Sequence, residues 1–139
     1  MESCLNLQVD QFLRKYSTVP WVRGEHDCIA FVIKYAKECF DVDLSDKELQ
    51  GYFDLRTAKR AYMKACLKHK VKSFNKYLDK KLTSTLGPTD GCVIAKPELE
   101  GLVGHAYGVV KSGYGLFVDT NGLMPIKLDP KLDLYWKVI

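Results

Sequence analysis

Apolar residues at Leu5, Val9, Phe12, Leu13 and Tyr16 recur at steps of one, three and four. That spacing predicts a helix over 5–16 with one buried stripe. Pro20 disfavours helix in the residue before it, so 17–20 breaks the chain. Trp21 to Gly24 then reads as a short turn or extended piece. A second helix is predicted over 27–40. Asp27 suits its N-cap, and Ile29, Val32, Ile33, Ala36, Cys39 and Phe40 keep a buried face. Phe31 and Tyr35 widen that face and mark the helix as central. Ser45-Asp46-Lys47-Glu48 fits a capping box and predicts a short helix. The helical period returns over 56–82, as two helices broken near Val71-Lys72-Ser73. Ala58, Ala61, Tyr62, Ala65 and Cys66 form the first stripe. Ser73 caps the second helix, which turns Phe74, Tyr77, Leu78 and Leu82 inward.

After Gly87-Pro88 the period falls to two. Strands are predicted at 91–95, 106–111, 115–120, 123–128 and 134–139, separated by Gly, Pro and Asn turns. Asn121-Gly122 is a two-residue hairpin signal. Helices first and strands second predict an α+β chain, with N-terminal helices packed on a C-terminal antiparallel sheet. No repeat or linker interrupts it, so 1–139 reads as a single domain.

Composition narrows the class. With 139 residues, 47% hydrophobic and 27% charged, the chain has the make-up of a globular protein, neither disordered nor fibrous. No apolar run approaches the roughly 20 residues that span a bilayer. Met1-Glu2-Ser3-Cys4 does not open a secretion signal, so synthesis in a cytoplasm without a signal peptide is expected, and any action outside it needs another carrier. The cysteines, Cys4, Cys28, Cys39, Cys66 and Cys92, contain no CxxC pair, which argues against a zinc ribbon or a redox dithiol. They read as reduced thiols.

Charge is unevenly spread. Residues 1–55 carry six Lys/Arg and ten Asp/Glu, whereas 56–82 carry ten Lys/Arg and only Asp79. This basic block reads either as a solvated helix face or as a contact for an anionic surface, such as nucleic acid, teichoic acid or an acidic partner. No phosphate-binding glycine loop or aromatic-interleaved groove singles out nucleic acid. Trp21 and Trp136 read as core residues, and Tyr52 and Tyr107 as either core or cleft.

The segment Trp21-Val22-Arg23-Gly24-Glu25-His26-Asp27-Cys28 places a thiol on the first turn of a predicted helix. The partial positive charge there favours a thiolate, and the neighbouring amides suit an oxyanion. A buried structural cysteine beside Ile29 is the other reading. A nucleophile needs a base. His69 lies in the basic block and reads as solvated. His26 is two residues from Cys28, which is not a facing spacing on a helix. His105 opens a strand, and Asp119 ends the next one, so the two suit a base and its orienting group.

The order of Cys at a helix start, His on a strand and a polar residue ending the next strand resembles the NlpC/P60 superfamily of papain-like cysteine peptidases. It resembles more closely the small phage and prophage proteins of that superfamily. The matching pieces are Trp21-x-x-Gly24-x-x-Asp27-Cys28-x-x-Phe31, Tyr52, Arg56-Thr57-x-x-x-Arg60-Ala61, Asp90-Gly91-Cys92-Val93-Ile94, Ala106-Tyr107-Gly108-Val109, Asn121-Gly122-Leu123 and Tyr135-Trp136-Lys137-Val138. Two positions depart from the pattern. Aligned on Gly108, the family's histidine falls at Ala106, one residue after His105, and its serine after the cysteine is Ile29.

The resemblance implies a papain-like NlpC/P60 fold and a virion- or tail-associated cysteine hydrolase made in a bacterial cytoplasm. Such an enzyme cuts an amide bond in peptidoglycan stem peptides. It implies Cys28, His105 and Asp119 as catalytic residues, with Trp21, Asp27 and Tyr107 at the substrate, and no metal or cofactor. Its implied partners are the peptidoglycan peptide and other phage tail proteins. The alternative it leaves is a degenerate site in a structural or assembly component of a tail.

Overall fold

The computed structural model describes residues 2–97 and 104–138, with side chains from residue 7 onward. The expected contributions of Leu5 and Ile139 therefore lie outside the described residues. The chain is α+β. Among the described residues four helices, α1 (Glu2–Tyr16), α2 (Cys28–Phe40), α3 (Leu55–His69) and α4 (Phe74–Lys81), precede a six-stranded antiparallel sheet. The strands are β1 (Thr83–Thr85), β2 (Val93–Pro97), β3 (His105–Lys111), β4 (Tyr114–Asp119), β5 (Gly122–Lys127) and β6 (Leu134–Lys137). They lie in the order β1-β6-β2-β3-β4-β5. No described helix is long and apolar enough to cross a membrane.

Strand alternation sorts the sheet into two faces. Val93, Ala95, Tyr107, Val109, Val118, Trp136 and Val138 join the helices in the main core. Cys92, Ile94, Val110, Phe117 and Tyr135 form a smaller cluster on the other side, with Ala106, Ile126 and Leu128 against it. The helix α2 crosses β3 and β4 and is the centre of the main core, with Phe31, Val32, Tyr35 and Ala36 fully buried. Tyr35 donates to the Gly91 carbonyl at 2.7 Å, which ties this helix to the entry of β2.

Several boundaries differ from the pattern-based expectation; β2, for one, runs Val93–Pro97 where the pattern predicts 91–95. Residues 45–48 do not form a capping box. Asp46, not Ser45, takes the Glu48 amide and caps a single 3-10 turn at Lys47–Leu49, while the Ser45 hydroxyl turns to Asp43. The β4–β5 hairpin pairs Asp119 with Gly122, so its two-residue loop is Thr120-Asn121. Gly122 sits at φ +114, and a Cβ there would stand 2.1 Å from the Ser17 carbonyl oxygen. The Leu123 amide donates to that same oxygen. The short strand β1, polar throughout, has no apolar alternation to announce it; its partner β6 makes it a strand.

Candidate functional site

Asp27 organises the approach to Cys28. Its Oδ1 accepts the Ala30 amide at 2.8 Å, and its Oδ2 accepts the Gly24 amide at 3.0 Å and the Tyr52 hydroxyl. Tyr52 in turn touches the Tyr62 hydroxyl at 3.0 Å. One buried carboxylate thus caps α2 and pins the preceding turn to two tyrosines. Burial, with the Asp27 carboxylate, holds both phenols well above their ordinary range. Gly24 is needed in that turn. It lies at φ +82, and a Cβ there would stand 2.0 Å from the Tyr52 carbonyl oxygen.

Cys28 is therefore the first residue of α2, as its sequence context predicts. Helix starts leave amides without an intrahelical acceptor. Here Asp27 takes that of Ala30 with its side chain and that of Phe31 with its carbonyl.

Cys28 and Ile29 line a cleft of about 520 Å³, a size typical of ligand sites. Facing them are His105 and Ala106 from β3, Val118 and Asp119 from β4, and Met124 and Ile126 from β5. The cleft lies where the β3–β4 ladder stops: pairing runs from Lys111–Tyr114 to Val109–Leu116 and no further. Trp21 and Arg23 also line it. The Trp21 amide is held by the Asp119 carbonyl at 3.0 Å, and the Arg23 guanidinium lies 4.8 Å from the Trp21 ring. Lys96, on another wall, is committed to the buried Asp133 carboxylate at 2.9 and 3.0 Å.

His105 shares its strand face with Tyr107 and Val109, the face that meets the helices. Its ring lies 6.5 Å from that of Tyr107. Ala106 packs against the opposite cluster. In this register the residue at the strand start, not its successor, is on the side of Cys28.

The side chain that meets His105 is Asn75 of α4, a residue the sequence reading does not single out. Its Nδ2 lies 3.5 Å from His105 Nδ1, and its Oδ1 accepts the Tyr107 hydroxyl at 2.6 Å. A half-turn of the amide presents Oδ1 to an Nδ1–H instead. Nε2 then carries the lone pair a base needs, and Tyr107, able to donate or accept, satisfies either orientation. Nothing local in Ser73-Phe74-Asn75 marks this residue; only the packing of α4 on β3 brings it to the histidine.

The other expected site residues separate. Asp119 lines the cleft, but its carboxylate accepts the Thr120 amide at 2.8 Å and is not hydrogen-bonded to His105. Strand alternation sets it on the Phe117 side of the sheet, away from the histidine. Tyr107 is fully buried, and its hydroxyl donates to Asn75. Trp21 is not a core residue: it is partly exposed at the cleft, whereas Trp136 is buried and donates to Asp79 at 2.8 Å.

The remaining histidines have structural surroundings. His26 is buried, stacked on Tyr16 and edge-on to Phe31, and its Nδ1 lies 3.0 Å from Lys34 Nζ. Burial, with the Lys34 charge, lowers its pKa. His69 is not solvated; its Nε2 meets Asp46 Oδ2 at 2.6 Å.

Among the described residues no cluster of His, Cys, Asp and Glu is placed to hold a metal ion. No curated protein and no solved structure matches the chain. A family model described as "Domain of unknown function (DUF6950)" matches residues 5–138. The match spans nearly the whole sequence, and the chain belongs to that family.

Proposed function

We propose that this protein is a cysteine hydrolase of NlpC/P60-like, papain-like design that cleaves an amide bond in peptidoglycan stem peptides, as a phage tail- or virion-associated enzyme. The observation that carries the reading is the shared cleft: a cysteine on the first turn of α2 and a histidine opening β3 line one cavity. The peptidoglycan substrate and the virion setting rest on the sequence resemblance.

In the proposed reaction, His105 accepts the Cys28 proton and the sulfur attacks the amide carbonyl. Backbone amides at the start of α2 stabilise the developing oxyanion. The carbon–nitrogen bond breaks, and the amine departs with the proton from His105. Water, activated by the same imidazole, then cleaves the thioester and regenerates the thiol. Asn75 positions the imidazole, taking the role the sequence reading gave to Asp119. Trp21 and Arg23 flank the route by which a peptide enters.

Digestion of purified peptidoglycan, followed by mass spectrometry of the released peptides, tests the reading. New amine termini with the native chain, and none with Cys28→Ala, are expected. Equal release by both sinks it. The alternative, a structural or assembly component of a tail, draws support from Asp119, whose carboxylate serves the Thr120 amide and leaves no acidic partner on His105.

A further inference from the structure

The outer surface of α3 carries two adjacent rows at four-residue steps. One is Leu55, Lys59, Met63 and Leu67, and the other is Arg56, Arg60, Lys64 and Lys68. All eight are exposed. Met63 and Leu67 are 65% and 74% exposed, and Phe53, just before the helix, is 73% exposed. Large apolar side chains are thus presented to solvent in line, beside a row made only of cations. The helix has no acidic residue of its own. Among the described residues Lys68 pairs with Asp46, while Arg56, Lys59, Arg60 and Lys64 make no ion pair. Like charges one turn apart repel, so the cationic row serves something other than the stability of α3.

Next to these rows is a notch of about 170 Å³. Lys47, Arg60 and Lys64 line it, with Glu48 and Thr57. Three cations around so small a space suit one phosphate group. A plain polyanion uses the cations and leaves Met63 and Leu67 without a role. An anionic lipid surface uses both: headgroup phosphates for the cations, and the interfacial layer for the apolar row.

We propose that α3 seats the protein on an anionic phospholipid surface, with Leu55, Met63 and Leu67 entering the headgroup layer and Arg56, Arg60 and Lys64 meeting the phosphates. The inference is independent of the hydrolase reading, since none of these side chains lines the Cys28 cleft.

Sedimentation of the full chain with vesicles tests it. The protein is expected to pellet with vesicles of phosphatidylglycerol and phosphatidylcholine in equal parts, and not with phosphatidylcholine alone. Retention falls as salt rises. The double variant Met63→Ser/Leu67→Ser weakens binding by about tenfold or more, because two apolar side chains no longer enter the interface. Arg60→Glu/Lys64→Glu removes it. Both variants change exposed residues and keep the native circular dichroism. Absence of pelleting with the anionic vesicles overturns the proposal. So does pelleting that the charge reversal abolishes and the serine variant leaves intact, since that is the behaviour of a polyanion contact.

Discussion

His26 and His105 stand in opposite settings. His26 is two residues from Cys28 in the chain, yet its ring lies between Tyr16 and Phe31 with Lys34 on Nδ1. His105 is far along the chain, yet it opens into the cleft that Cys28 lines. The first ring is held neutral in a core and helps to build the turn that delivers the cysteine. The second stands at a strand start with Asn75 behind it. Closeness in sequence thus reports on construction, while the cleft that Cys28 and His105 share is made by a helix packed across a sheet.

Substitutions at the two histidines separate these roles. The largest effect is expected at the site. His105→Ala lowers peptidoglycan hydrolysis by about a hundredfold to ten-thousandfold, the usual contribution of a general base, and leaves the melting temperature nearly unchanged. His26→Ala does the reverse. It opens a cavity in the core and destabilises the fold by on the order of 2–3 kcal/mol, while hydrolysis per folded molecule stays within a few-fold of native. Thermal melts beside turnover assays check both, and an active His105→Ala reassigns the base.

A smaller effect is expected at Asn75. Asn75→Ala leaves His105 without its orienting amide and Tyr107 without its acceptor. Activity falls on the order of tenfold to a hundredfold through misplacement of the imidazole. Asn75→Asp keeps a hydrogen-bond acceptor for both neighbours, recovers part of the rate and moves the pH profile of kcat/KM. A purely structural Asn75 moves the melting temperature and leaves that profile in place.

The pH dependence of stability gives two further effects. Burial, with the Lys34 charge, lowers the pKa of folded His26, so the unfolded chain binds its proton more readily. Its contribution is present above the ordinary histidine value and is lost as pH falls from about 6.5 through the lowered pKa. Asp46 acts in a more acidic window. Burial pushes its carboxyl up, but the Glu48 amide, His69 and Lys68 outweigh that and hold it at about 2. Its contribution, about 2 kcal/mol, is present above the unfolded value and disappears as pH falls from about 4 to 2. Denaturant melts at a series of pH values resolve the two windows, and Asp46→Asn flattens the lower one.

Much of this construction is legible in the residues. Asp27 before an apolar-faced run specifies both the start of α2 and the place of Cys28, because a cap and a stripe are local signals. The strands after β1 announce themselves by their apolar period and the turns between them. The orienting group on His105 is not legible, since Asn75 reaches it only after α4 packs on β3. The face of His105 also depends on strand register. A displacement of one residue relative to the resembled pattern predicts the wrong side of the sheet, and the pairing of Pro97 with His105 settles the strand instead. Trp21 reads as core from its size, but its backbone bond to Asp119 holds it at the mouth of the cleft.

The central claim, that Cys28 and His105 act as a pair, is tested most directly by the rate at which iodoacetamide alkylates Cys28 near neutral pH, followed by peptide mass mapping. Cys66 is an internal reference, because burial raises its thiol pKa. The pairing predicts that Cys28 is modified much faster than Cys66 in the native chain and that His105→Ala slows Cys28 while leaving Cys66 unchanged. A Cys28 that reacts no faster than Cys66, or one whose rate is the same without His105, contradicts it.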